Sequence, residues 1–293
     1  PIRIIVSYPP GGATDTLARL MAKELTDAWG SNVIVDNRAG ASGNIGTSQC
    51  VKSPPDGYTM CFVAPAQAMA SRMSSNAGFD SLKDFSHVTL VASVPMLLLV
   101  HPSLSVRNVS QLIALAKNQP GALNYASSGG GASPHLAMEL LKQQAGIDIV
   151  LVTYKGTGAA IVDQVAGRVE LAFSAAVGVM PYVKDSRLRA IAVSTKERFP
   201  VLASVPTVNE SGLKGYDASS WQGLSMPAGV PRDIVNRVST QLAQSLKTAE
   251  MRERILGLGG VAVGNSPEAF SAYFNAESEK WYRVAQKANV IVN

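Results

Sequence analysis

Two stretches, PPGGATD at Pro9 to Asp15 and SSGGGASPH at Ser127 to His135, set glycines beside hydroxyl, carboxylate and imidazole side chains in a spacing suited to holding an anion. Gly11 and Gly12 lack a Cβ, so the backbone can turn sharply and bring its N–H groups against a ligand. An apolar run enters each turn (Ile2 to Val6, Leu123 to Ala126). A helical pattern leaves it, with Leu17, Leu20, Met21 and Leu25 after the first and Leu136, Leu140 and Leu141 after the second. A helix that starts at such a turn presents N–H groups without intrahelical partners and the positive end of its dipole. Each turn is therefore an anion site, and two of them suit a small molecule with two acidic ends.

The side chains divide by what they can offer. Ser127, Ser128 and Ser133 supply hydroxyls that a purely structural turn would not need, and His135 either touches ligand through a ring N–H or is satisfied within the loop. Asp15 would repel an anion, so its expected role is to cap or dipole-pair the helix it starts. Tyr154 to Gly158 (YKGTG) forms a third strand-to-helix turn, in which Lys155 either meets an acid or is solvated. Phe173-Ser174 falls at a strand end, where open α/β sheets bind ligands. Arg38 either steers anions or pairs with a nearby carboxylate, and Trp221 is expected to pack rather than to floor a site.

Other chemistries find no support. The three histidines, His87, His101 and His135, belong to no HExxH, and there is no GxSxG, Cys/His cluster or acidic metal loop. Neither turn ends in GK[ST]. The approach to GxGxxG at Gly129 and Gly131 fails at Pro134 and lacks a later acidic partner. The expectation is no enzyme, no cofactor and no metal. A net charge of +5, spread over 26 scattered Lys and Arg, leans toward small anions and away from nucleic acid. No apolar run reaches the roughly 18 residues of a membrane span. Cys50 on a helix and Cys61 in a strand would be bridged only if their Cβ atoms face each other; two buried free thiols is the plainer reading.

These residues must be positioned by a chain of 293 residues, 46% of them hydrophobic, which is enough for two ordinary cores. From Leu123 to Ser194 strand and helix alternate, which implies a parallel sheet covered on both faces. His101-Pro102 ends a strand before that region. The Gly- and Pro-punctuated stretch from Ala218 to Pro231 follows it, ahead of amphipathic helices near Ile234 to Leu246 and Pro267 to Ala288. The expected division is a first lobe of 1–100 and 227–293 and a second of 101–226, with crossings near 98–103 and 219–228.

YPPGGATD, NRAGASGNIG (Asn37 to Gly46), PDGYT, YASSGGGASPHL, YKGTGAA, LRAIAVST, VPTVNESG, WQGLSMPAGVP and the ExxKW of Glu277 to Trp281 occur in that order. Together the motifs resemble the substrate-binding proteins of tripartite tricarboxylate transporters, the Bug or TctC group, across essentially the entire chain. The resemblance implies an α/β, two-lobed periplasmic binding protein of the Venus-flytrap kind (type II). Each lobe would be a mainly parallel sheet flanked by helices, and hinge closure would capture a carboxylate. By position the resemblance carries ligand contacts over to Ala13, Thr14 and Asp15, with Tyr8, Pro10, Gly12, Ala64 and Gln67 the other expected ligand residues of the first lobe. In the second lobe it carries them to Ser128, Gly131, Ser133 and His135, and Ser127, Thr157, Phe173 and Ser174 complete the expected set. Where relatives often carry Asn-Pro and Phe-Asp, this chain has Ala70-Ser71 and Phe173-Ser174. The missing Asp disfavours an amino acid and leaves room for an aliphatic or aromatic dicarboxylate. The partners implied are the ligand and membrane permease subunits, with the receptor a periplasmic monomer whose signal peptide is not part of this chain. The alternative is a ligand-sensing co-receptor for a membrane sensor kinase.

Overall fold

The computed structural model describes residues 1–73, 76–127, 131–154 and 156–290. The chain divides into two compact units. In the first, β1 (Ile2–Val6), α1 (Ala13–Trp29), β2 (Val33–Asn37), α2 (Asn44–Val51), β3 (Thr59–Val63), α3 (Pro65–Met73) and β4 (Phe85–Val94) come in succession. The second holds β5 (Met96–Val100), α4 (Val109–Asn118), β6 (Asn124–Ser127), α5 (Ser133–Ala145), β7 (Val150–Thr153) and α6 (Thr157–Val165). It continues with β8 (Leu171–Ala175), α7 (Ala176–Lys184) and β9 (Arg189–Val193). The chain then returns through β10 (Ser220–Pro227) to α8 (Arg232–Lys247), α9 (Ala249–Gly257), β11 (Val261–Ala262) and α10 (Pro267–Lys287).

The first sheet has the order β11-β4-β10-β3-β1-β2 and the second β7-β6-β8-β5-β9. The strands that lead into the glycine turns are parallel to their neighbours: β1 to β2 and β3, β6 to β7 and β8. Those that enter a sheet from the other unit run antiparallel, β10 on β3 and β5 on β8 and β9.

Alternation along β1 explains its near-continuous apolar sequence, because both faces of the sheet are covered. Ile4 and Val6 pack with Leu17, Met21 and Leu25 of α1 and with Val235, Val238 and Leu242 of α8. Ile5 faces Cys50, Cys61, Trp221, Phe270 and Phe274. The i, i+4, i+8 spacing of Leu17, Met21 and Leu25 puts them on one side of α1, and each such buried side chain contributes about 1.5–3 kcal/mol.

Three expectations change. The first passage between sheets lies at Pro95, between β4 and β5, rather than at 98–103; Pro95 has no N–H to continue a ladder, so the chain switches sheet there. On the return, β10 already belongs to the first sheet, so 221–226 lie in the first unit, and the end of α10 from Val284 groups with the second. Cys50 and Cys61 are joined as a disulfide, with Cα atoms 5.8 Å apart. Helix α2 lies on the face of β3 toward which Cys61 points, and both residues are buried there.

Candidate functional site

At the first turn Gly11 adopts φ +89° and Gly12 caps α1 without a side chain to offer. The third residue of the helix, Asp15, reaches back instead. Its Oδ2 accepts from the Gly11 N–H and from Arg19 Nε, each at 2.9 Å, and its Oδ1 accepts from Asn37 Nδ2 at 2.9 Å. The same Asn37 amide donates to the Tyr8 carbonyl at 3.1 Å, tying β2 to the turn. Asp15 is 3% exposed. Burial pushes its carboxyl pKa up, but the hydrogen bonds from Arg19, Gly11 and Asn37 together with the Arg19 charge outweigh it and hold the pKa below the usual value. Both oxygens are thus spent on holding the turn. The N–H groups of Gly12, Ala13 and Thr14 are left among the unpaired amides of the helix start.

The second turn repeats the arrangement with a different acceptor. Gly131 adopts φ +74°, Ala132 is the cap, and His135, again the third helical residue, accepts the Gly131 N–H on Nδ1 at 2.9 Å. The ring is buried, with Nε2 4.0 Å from Glu139 Oε1. That oxygen also accepts from Tyr125 Oη and Lys142 Nζ at 2.8 Å each. Burial lowers the His135 pKa, Glu139 opposes and Lys142 adds, and the net shift is downward. His135 is therefore neutral, with its proton on Nε2. Ser133 is half-buried at the first helical position and Ser127 is buried at the end of β6, whereas Ser128 lies outside the described residues.

A third helix start stands beside the first turn. Gln67, third residue of α3, directs Oε1 to the Ala64 N–H at 2.9 Å and takes the Tyr8 hydroxyl at 3.3 Å. Two donors on Oε1 settle which way the amide points. Its Nε2 is buried with no partner among the described residues, in a side chain 1% exposed. Gly43, at φ +96°, passes so close that a Cβ there would sit 2.6 Å from Nε2. Burying such a donor unpaired costs about 1–3 kcal/mol. One strand along, Gln222 on β10 is 5% exposed and its Oε1 likewise has no partner. Sequence reasoning passed over Gln222, because a glutamine between Trp221 and Gly223 carries no motif.

The first unit thus gathers Tyr8, Pro10, Gly12, Thr14, Asp15, Ala64 and Gln67 around the ends of β1 and β3, and the backbone of Ala13 with them. In the second unit, Thr157 is exposed at the start of α6, while Phe173 is core, stacked on Tyr216 at 6.2 Å. Ser174 is buried on β8 opposite Leu97, and Lys155 lies outside the described residues. Arg38 pairs with Asp36 at 2.9 Å. Trp221 is buried, its Nε1 donating to Glu277 Oε2 at 3.1 Å. Among the described residues no three His, Cys, Asp or Glu could share a metal ion, and no helix is long and apolar enough to cross a membrane.

A family model for the tripartite tricarboxylate transporter family receptor matches residues 17–290. Protein BugT of Bordetella pertussis is 32% identical over 289 residues, which cover 98% of this chain and 89% of BugT. Among solved structures, R. palustris Rpa4515 with adipate is 35% identical, with a TM-score of 0.85 over 99% of this chain and 97% of that one. MatC from Rhodopseudomonas palustris with bound malate is 27% identical, with a TM-score of 0.79 over 97% and 98%.

Proposed function

This chain belongs to the tripartite tricarboxylate transporter receptor family, and from that premise we propose that it is a periplasmic receptor that captures a small dicarboxylate for a membrane permease. The observation that carries the reading is the repeated turn. In both units the third helical residue pulls back the glycine four positions before it, leaving the first amides of α1 and α5 to take an anion. Spending Asp15 and His135 on the turns keeps the recognition groups uncharged backbone donors, which bind carboxylates without regard to what lies between them.

The energetics are adequate. A micromolar dissociation constant requires about −8 kcal/mol, and hydrogen bonds to a charged group contribute roughly 1.5–3 kcal/mol each. Four or five of them, shared between two carboxylates, offset the cost of immobilising a small flexible acid. Adipate and malate in the solved relatives are both dicarboxylates, which supports the class.

The test is a thermal-shift panel of mono-, di- and tricarboxylates and amino acids on protein refolded to remove bound ligand. A diacid at a hundredfold over its dissociation constant should add about 2.7 kcal/mol of stability. Its half-amide should add far less. A panel in which no carboxylate shifts the transition would overturn the assignment.

A further inference from the structure

At the carboxyl end of β1 and β3 the first unit carries two buried amides that no group among the described residues satisfies: Gln67 Nε2 and Gln222 Oε1. Strand register relates Gln222 to Ala64, the residue whose N–H Gln67 Oε1 accepts. β10 pairs with β3 through Leu224 with Phe62 and Gly223 with Val63, so continuing the ladder sets Gln222 opposite Ala64. On the other side of β3, Val6 lies beside Phe62, which brings Tyr8 level with Ala64. Val6, Phe62 and Leu224 share one apolar cluster. Side chains repeat every second residue, so Tyr8, Ala64 and Gln222 project on that same face, in one row across three neighbouring strands. Gln67 reaches into this row through its bonds to Ala64 and Tyr8.

The row is neutral. Asp15, the carboxylate of the adjoining turn, has both oxygens occupied by Gly11, Arg19 and Asn37, so an ammonium group would find no counter-charge there. A hydroxyl suits it, because a hydroxyl donates to one amide oxygen while a neighbouring carboxylate oxygen takes the Gln67 donor. We propose that Gln222 is a specificity-determining residue that hydrogen-bonds a ligand hydroxyl, so that the receptor prefers a hydroxylated dicarboxylic acid to the plain acid of the same length. This rests on the carboxylate-receptor reading above.

The experiment is calorimetric titration of matched pairs, malate against succinate and 3-hydroxyadipate against adipate, into the wild-type protein and Gln222→Met. In the pair that binds, the hydroxy acid should bind at least about tenfold tighter, because a site built to bond a hydroxyl is left unpaired by the analogue without one. Gln222→Met should bring the hydroxy acid down to the affinity of the plain acid and leave the plain acid unchanged. The ligand-free variant should melt no lower than wild type, since it loses an unpaired buried oxygen. Equal affinities within the pair in wild type, or an equal loss for both acids in the variant, would overturn the proposal while leaving the receptor reading intact. Binding of none of the acids would overturn both. The wild-type comparison decides the matter even should the variant fail to fold.

Discussion

The N–H of Gly131 donates to Nδ1 of His135 at 2.9 Å, which requires that nitrogen to carry a lone pair. Asp15 does the same for Gly11 with a carboxylate oxygen at the same distance. The two turns share a geometry but not a pH response, because protonating Nδ1 would set a donor against a donor. Burial holds the His135 pKa below its usual 6.5, opposed by Glu139 and aided by Lys142. A depressed folded-state pKa means that the neutral, turn-holding form is fully present above 6.5 and is lost as the pH falls through the lower folded value. Affinity for the bound acid should therefore weaken as the pH falls below 6.5 and through the lower folded-state value. In His135→Asn, whose Oδ1 can accept without titrating, the calorimetric profile should be flat over that range. Equal slopes in both proteins would remove His135 from the explanation.

Asp15 makes the complementary case. Asp15→Ala strands the Gly11 N–H, Arg19 and Asn37 at once, and losing a buried charge-assisted acceptor costs about 1–3 kcal/mol. Urea unfolding should show that loss, and affinity for acid should fall with it. Unchanged stability would mean that the turn is held by Gly11 and Gly12 alone.

A third titrating group acts on stability rather than on the site. His87 lies among Phe85, Phe270 and Phe274 with Nδ1 3.0 Å from Ser225 Oγ, and burial lowers its pKa to about 4. Below 6.5 the unfolded chain takes up a proton that the folded one refuses, so stability present above that value drains away between 6.5 and about 4. The full effect is worth about 3 kcal/mol. Urea midpoints for wild type should drop between pH 7 and 4.5, and His87→Gln should flatten that drop.

The sequence made the turns legible because glycines between an apolar strand and an amphipathic helix have a local cause. A carboxylate at a helix start also suggested that Asp15 caps the turn, as its bonds to Gly11, Arg19 and Asn37 bear out, whereas the resemblance had set it among the ligand residues. What it could not reach were relationships made across strands. Gln222 lies far from Tyr8 and Ala64 in the chain and is related to them only through the ladders of β1, β3 and β10. The Cys50–Cys61 bridge depended likewise on which face of β3 carries α2, which no spacing reveals. Pro95 was visible between two apolar runs, but the more emphatic His101-Pro102 drew the boundary past it. It is the missing N–H at Pro95, not the end of β5, that marks the change of sheet.

That bridge closes a short loop, 11 residues from Cys50 to Cys61, and such a cross-link stabilises by about 3 kcal/mol through the entropy of the unfolded chain. It ties the end of α2 to β3, while the start of α2 at Gly43 and Asn44 adjoins Gln67. Cys50→Ala with Cys61→Ala should lower the thermal midpoint by several degrees while ligand affinity at 25 °C stays near wild type, because Gly43 is seven residues from the bridge. Affinity falling in step with stability would show instead that the bridge sets the position of the Gly43 turn.

Gly43 provides the sharpest separation of site from scaffold. Its φ of +96° disfavours any side chain, and a Cβ would come 2.6 Å from Gln67 Nε2 and 3.3 Å from Ser7 Cβ. Ser7 is buried and hydrogen-bonded to Thr47 at 2.9 Å, so it has little room to yield. The Gln67 amide is what must move, and with it the bonds to Ala64 and Tyr8. Gly43→Ala should therefore cost about 1–2 kcal/mol in stability from the left-handed backbone alone. On the proposed site it should also cost roughly tenfold in affinity, as expected for one misplaced donor to a charged oxygen. A second left-handed glycine, Gly212, has open space around its Cβ position, so Gly212→Ala carries the backbone cost without the collision. A larger stability loss in Gly43→Ala than in Gly212→Ala, with affinity reduced only in Gly43→Ala, would support a contact between Gln67 Nε2 and the ligand. Parallel losses of affinity in both would show that it answers to stability alone.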